Sequence, residues 1–149
     1  FALTGRYQDA LNDLNIWTAL RADATEYVYG KHVLYKDLLL SHYSADLANE
    51  DHFINSRYNA SKFTATGDEL RFQKALILAI LDARKLEFLR EGIRHFDILR
   101  WFIPVYHATA DGQRSELTPE DDRRVIQLPQ VVSLSGVEQN PWSNVGAWY

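Results

Sequence analysis

Cysteine is absent from all 149 residues, which excludes disulfides, thiolate nucleophiles and cysteine-ligated zinc. That absence is permitted in every compartment. Methionine is absent too, even at the first position. A chain that starts at Phe1 is read as processed, or as part of a longer one. Long apolar runs are also missing. The longest, Ala75 to Leu81, falls far short of the roughly 20 residues that a membrane-spanning helix needs. Residues 1 to 10 lack a basic stretch followed by an apolar one, so no signal peptide is visible. No excess of positive charge exists either. The net charge is −4, and the basic residues are mixed among acidic ones, which removes the electrostatic case for a nucleic-acid partner.

What remains is ordinary globular material. Hydrophobic residues make up 46% and charged residues 24%, enough for one domain with a real core. Aromatic residues reach 13%. Many of them fall in polar or loop-like stretches: Tyr27, Tyr29, Tyr35, Tyr43, Tyr58, Tyr106, Trp142 and Trp148. Such rings serve either as half-buried boundary residues or as a stacking platform for sugars or a protein partner.

The elements read as helices. Residues 1–5 resemble the last turn of a helix ending at Gly5, where glycine tolerates positive φ. A helix over residues 7–22 follows, with Tyr7, Ala10, Leu11, Leu14, Trp17 and Leu20 on one face. Residues 34–48 contain a further helical stretch. Residues 49–66 are polar and read as loop with a short turn or two. The strongest element opens at Gly67-Asp68, with Asp68 as the expected N-cap. It runs without glycine or proline to Arg90. Its Ala75–Leu81 segment is apolar all round and is expected to be buried on more than one side. After Gly92 a second helix covers residues 93–102, and Pro104 ends it. Residues 108–124 read as polar loop, with a one-turn helix start at Thr118-Pro119. Residues 125–128 could form a strand, and the rest of the tail is irregular. The spacing Gly5-x-Tyr7-x-x-Ala10-Leu11 resembles the turn and second-helix start of a tetratricopeptide-type repeat, where a small alanine lets helices approach closely.

The densest ionisable cluster comprises Asp82, Arg84, Lys85, Glu87, Arg90, Glu91, Arg94, His95, Asp97 and Arg100. Opposite charges recur three residues apart: Arg84–Glu87, Glu87–Arg90, Glu91–Arg94, Arg94–Asp97 and Asp97–Arg100. This is the pattern of a charge-laced helix pair, a structural ion network. The functional alternative is a Glu87/Glu91 carboxylate pair working as acid and base on a glycosidic bond. Arginines within a turn of each carboxylate argue against it, because they keep both ionised. His32, His42, His52, His95 and His107 show no metal-pair spacing, so no metal site and no cofactor are expected. No nucleophile elbow, phosphate loop or dinucleotide glycine motif occurs.

Residues 80–101, ILDARKLEFLREGIRHFDILRW, resemble the signature of the SusD/RagB family of outer-membrane nutrient-binding lipoproteins. Glu87, Glu91, Gly92, Arg94, Asp97, Arg100 and Trp101 fall on its fixed places. Ala83 stands where the family usually has Glu, and Lys85 where it often has Arg. Downstream, Val125–Gln130 is similar to the family's L-L-P-I-P-Q, and Gln139-Asn140-Pro141-Trp142 to its closing motif. Residues 3–23 resemble the family's helix ending in an A-L-x-D-[LI]-N-x-[LI]-R-x-R string. The resemblance implies an all-α fold of tetratricopeptide-like helix pairs with long irregular loops and an irregular C-terminal tail over residues 125–149. It implies that this chain is the C-terminal segment of such a domain, with residues 24–66 as a variable insertion. It also implies non-catalytic capture of oligosaccharides or other nutrients at the cell surface. The partner would be a SusC-like TonB-dependent transporter, and the membrane link a lipid anchor outside this chain. The charged motif is a fold signature there, not a ligand site. Ligand contacts are sought at Tyr35, Tyr43, Tyr58 and Trp142, whose rings could stack on sugar C–H faces. A tetratricopeptide-like scaffold that binds protein instead of sugar is the alternative.

Overall fold

The computed structural model describes residues 1–88, 91, 93–108, 114–119, 121 and 124. The expected strand over 125–128, the irregular tail, Trp142 and Arg90 lie outside the described residues. The chain divides into two units, Phe1–Trp101 and Phe102–Tyr149.

Every regular element described in the first unit is helical. It opens with a 3-10 turn, Ala2–Thr4, closed by Gly5 at φ 79, a left-handed value that a residue with a Cβ adopts only at a cost. Helix α1 covers Tyr7–Leu20 and α2 covers Ala22–Tyr29, ending at Gly30 with φ 69. Helices α3, Lys36–His42, and α4, Ser44–Ala48, follow. A 3-10 turn at Phe53–Asn55 and the single-turn helix α5, Arg57–Ala60, occupy the polar stretch. Helix α6 spans Gly67–Glu87 and α7 spans Ile93–Trp101.

Helix α6 is the axis of this unit. Helices α1, α3, α4 and α7 and the first 3-10 turn all pack on it. The reason lies in its composition. Ala75, Leu76, Ile77, Leu78, Ala79 and Leu81 are all buried and only Ile80 is partly open, so the middle stretch is covered on nearly every side, as expected for a segment apolar all round. Leu39 of α3 and Ile54 have no exposure at all. Buried polar groups are matched, as they must be. Gln73 donates to the carbonyl of Ala2 at 2.8 Å and accepts from Ala65 N–H at 3.3 Å. Asn15 makes a two-way bond with Leu34, donating to its carbonyl at 2.9 Å and accepting from its N–H at 2.7 Å. Asn59 donates to the carbonyls of Phe53 and Trp101, which ties α5 to the last carbonyls of α7.

Several expectations need correction. The second helix does not run unbroken to residue 22. It stops at Leu20, and Arg21, outside helical geometry, separates it from α2. Leu20 is 71% exposed and does not belong to the apolar face; Thr18 takes the buried place instead. Asp68 is not the N-cap. Thr66 holds that position without a side-chain bond, and Asp68 and Glu69 lie in the first turn, where carboxylates favour the positive end of the helix dipole. Helix α7 ends one residue early, because Phe102 turns to φ 51 before Pro104 is reached.

The second unit shows that residues 108–124 are not all loop. Strands β1, Val105–Ala108, and β2, Arg114–Leu117, pair antiparallel with Val105 opposite Leu117 and Ala108 opposite Arg114. Arg124, 9% exposed, donates to the carbonyls of Thr118, Leu117 and Ile103. One guanidinium so satisfies three acceptors beside the hairpin.

Candidate ligand-binding site

The chemistry in the first unit gathers where α2 and α3 meet α6. Tyr29, the last residue of α2, has its hydroxyl 2.8 Å from that of Tyr43. The Tyr43 hydroxyl donates to Asp82 Oδ2 at 2.7 Å. Since the one Tyr43 proton is on that bond, Tyr29 must be the donor to Tyr43. The relay therefore runs Tyr29 to Tyr43 to Asp82, each bond polarising the next. The His42 ring sits 4.6 Å from Tyr29 and 4.7 Å from Tyr43, centroid to centroid. Burial pushes the Tyr29 hydroxyl up to about 12, and the neighbouring Asp82 charge adds to it. Burial also pushes Tyr43 up, reinforced by Tyr29 and Asp82. Both phenols are thus neutral hydrogen-bonding groups.

A cleft of about 180 Å³ opens beside this relay, walled by Trp17, Val28, Tyr29, Asp82, Lys85 and Leu86. Trp17 is held at its edge, where Nε1 donates to Glu87 Oε2 at 3.1 Å. A larger cleft of about 330 Å³ lies on the other side of Trp17, with mostly apolar walls that include Phe1, Leu14 and Ile80. Among the described residues, no group of three or more His, Cys, Asp or Glu could hold a metal ion.

The charged motif follows the spacing rule only in part: Arg94 and Asp97 do pair three residues apart. Glu87 pairs with Arg21 of the α1–α2 junction at 2.9 Å, not with Arg84. The Trp17 bond first, and Arg21 with it, hold the Glu87 carboxyl below the usual range. Arg84 reaches across to α7, its Nε 3.0 Å from both oxygens of Asp97. Arg94 stands 3.9 Å from Asp97 and donates to the carbonyl of Leu81 at 3.2 Å. Asp97 is 2% exposed. Glu91 and Arg100 are exposed, and the Arg100 carbonyl accepts from Lys62 at 2.6 Å.

The proposed stacking residues separate. Tyr43 is only 4% exposed, which corrects its assignment as a ligand contact: its ring has no open face and its hydroxyl is engaged on Asp82. Tyr35 is 48% exposed at the start of α3. Tyr58 in α5 is half-buried, with the Arg57 guanidinium 4.9 Å over its ring. Trp142 lies outside the described residues. Trp17, Tyr29, Asp82 and Lys85 were not singled out together in the sequence, and no local signal joins them. Tyr43 and Asp82 are 39 positions apart, so only the packing of α3 on α6 brings them into contact.

A sequence profile of the SusD family matches residues 21–140. Neither a curated protein nor a solved structure matches the chain.

Proposed function

The chain belongs to the SusD family, whose helical members bind nutrients at the cell surface, and on that premise we propose that it takes part in capturing oligosaccharides and handing them to a TonB-dependent outer-membrane transporter of the SusC kind. The observation that carries this reading is the family match over residues 21–140. The internal use of the charged motif supports the non-catalytic part. Glu87 is bound by Trp17 and Arg21, which hold its carboxyl below the usual range, whereas a general acid needs a raised one; Asp97 is buried and taken up by Arg84 and Arg94. The membrane link would be a lipid anchor outside the chain. Among the described residues no helix is long and apolar enough to cross a membrane. Tyr35, Tyr58 and Trp142 are proposed as rings that meet ligand, and of the two described, Tyr35 is the more open. Residues 24–66 are proposed as the stretch that varies with the ligand.

The test is titration calorimetry of the full-length protein against a panel of oligosaccharides, with co-purification from outer membranes. Saturable binding without product formation, and a TonB-dependent transporter in the eluate, are expected. Absence of carbohydrate binding together with stable capture of a soluble protein would favour the alternative, a tetratricopeptide-like protein scaffold. The exposed Ile16, Leu20 and Tyr27 on α1 and α2, at 65%, 71% and 93%, are the surface on which that alternative draws.

A further inference from the structure

We propose that the cleft between Trp17 and Asp82 is a subsite for one neutral sugar ring, gripped by an indole face, a carboxylate acceptor and a lysine donor. This rests on the carbohydrate-capture reading and adds a location and a chemistry to it.

The size is the first argument. About 180 Å³ holds roughly six waters by liquid volume, the room of a single small ring and not of a chain. The second argument is the polar inventory. Among the described residues Asp82 Oδ1 accepts no hydrogen bond, while Oδ2 takes the Tyr43 proton. The direction of the relay leaves the Tyr29 oxygen with acceptor capacity as well, because its one proton goes to Tyr43. The Lys85 ammonium has no ion pair among the described residues. The wall therefore presents two acceptors and one cationic donor.

The third argument is charge. One carboxylate and one ammonium on the same wall nearly cancel, so neither an anion nor a cation gains from entering. A neutral ligand that both donates and accepts does gain, and each bond to a charged wall group is of the stronger kind. Apolar Ala24, Val28 and Leu86 and the rings of Trp17 and Tyr29 then supply the surface that C–H faces need. A hexopyranose has both halves of this complement. The cleft is pre-organised too. The Glu87 bond holds the indole by its edge, and Tyr43, buried behind Asp82, holds the carboxylate.

The experiment uses the full-length protein and three probes: the methyl pyranosides of glucose, galactose and mannose. The Trp17 indole N–H is followed by NMR, after assignment with Trp17→Phe. The expected result is a saturable shift of that resonance with at least one glycoside. Ala24→Phe, which fills the cleft, should abolish the shift. Should that variant fail to fold by circular dichroism, Lys85→Ala decides: it removes an exposed side chain and should weaken the response roughly tenfold. A Trp17 signal unmoved by every glycoside, in a protein that binds oligosaccharide by calorimetry, overturns the subsite and leaves capture standing. A shift that survives Lys85→Ala undiminished overturns it as well. A protein that binds no carbohydrate at all overturns both.

Discussion

Arg84 and Asp97 form an ion pair with unequal burial, and removing either partner should cost different amounts. The Asp97 side chain is 3% exposed and that of Arg84 34%. Arg84→Met keeps the aliphatic length but strands a carboxylate that water barely reaches, with Arg94 still 3.9 Å away. Stranding one member of a buried pair costs about 3 to 5 kcal/mol, and the residual Arg94 contact puts this case near the lower end. The stacking of the guanidinium over Phe88, 5.1 Å to the ring centroid, is lost too, about 0.5 kcal/mol. Asp97→Asn is milder. The amide keeps the shape and one acceptor oxygen, and the one-third-exposed arginine can turn toward water, so about 1 to 2 kcal/mol is expected. In a protein of this size 1 kcal/mol moves the melting temperature by roughly 2 to 4 °C. Arg84→Met should then lower it by roughly 7 to 14 °C and Asp97→Asn by roughly 2 to 8 °C. Urea denaturation followed by circular dichroism gives both values on one scale. An Asp97→Asn variant as unstable as Arg84→Met would refute the reasoning, because the asymmetry follows only from which partner is sealed from water.

Tyr43→Phe leaves the packing in place but breaks the relay, removing a bond to a charged acceptor; about 1.5 to 2 kcal/mol should be lost in the same urea assay. Tyr29, pushed up to about 12, should ionise late: the tyrosinate absorbance lost in Tyr29→Phe is expected above pH 10, its ordinary value. Since the folded state favours the neutral phenol, the stability it contributes is complete below pH 10 and disappears as pH climbs toward 12. His52 behaves in the opposite sense. Burial lowers its pKa below 6.5 although Asp46 pulls it up, and its Nδ1 accepts from the Ile54 N–H at 3.4 Å. The neutral ring is favoured, so its contribution is complete above pH 6.5 and lost as pH falls through the lower folded value. Thermal melts of His52→Asn should show a flatter decline between pH 7 and pH 5 than the parent.

The helical frame was legible because periodicity and breakers are local. Gly5, the α1 face, the all-round burial of Ala75–Leu81 and the break before α7 each depend on neighbours within a few residues. Helix α2 was missed since Tyr27, Val28 and Tyr29 are poor helix formers, aromatic or β-branched, and a helix of eight residues shows little periodicity. The β1–β2 hairpin was missed because Ser115 and Glu116 blur the alternation of a strand, although Asp111-Gly112 is a hairpin cue. The site was largely illegible. The spacing rule paired Glu87 with arginines on its own helix, yet its partners are Arg21 and Trp17, 66 and 70 positions away. Nothing in the sequence distinguished Tyr43, which is sealed, from Tyr35, which is open.

Those distant partners show what a motif dense in carboxylates does in this fold. Glycoside cleavage needs one carboxylic acid that stays protonated near neutral pH, hence a poorly solvated group without cationic neighbours. Glu87 has the reverse: an indole N–H and a guanidinium hold it ionised and tie the end of α6 to α1 and the α1–α2 junction. Asp97 ties α7 to α6 in the same way. Each acidic residue so described joins two helical elements. In consequence Trp17 is held edge-on by the same Glu87 that reads, in sequence, as a catalytic candidate. Asp82, which lines the cleft, keeps one oxygen without a hydrogen bond among the described residues.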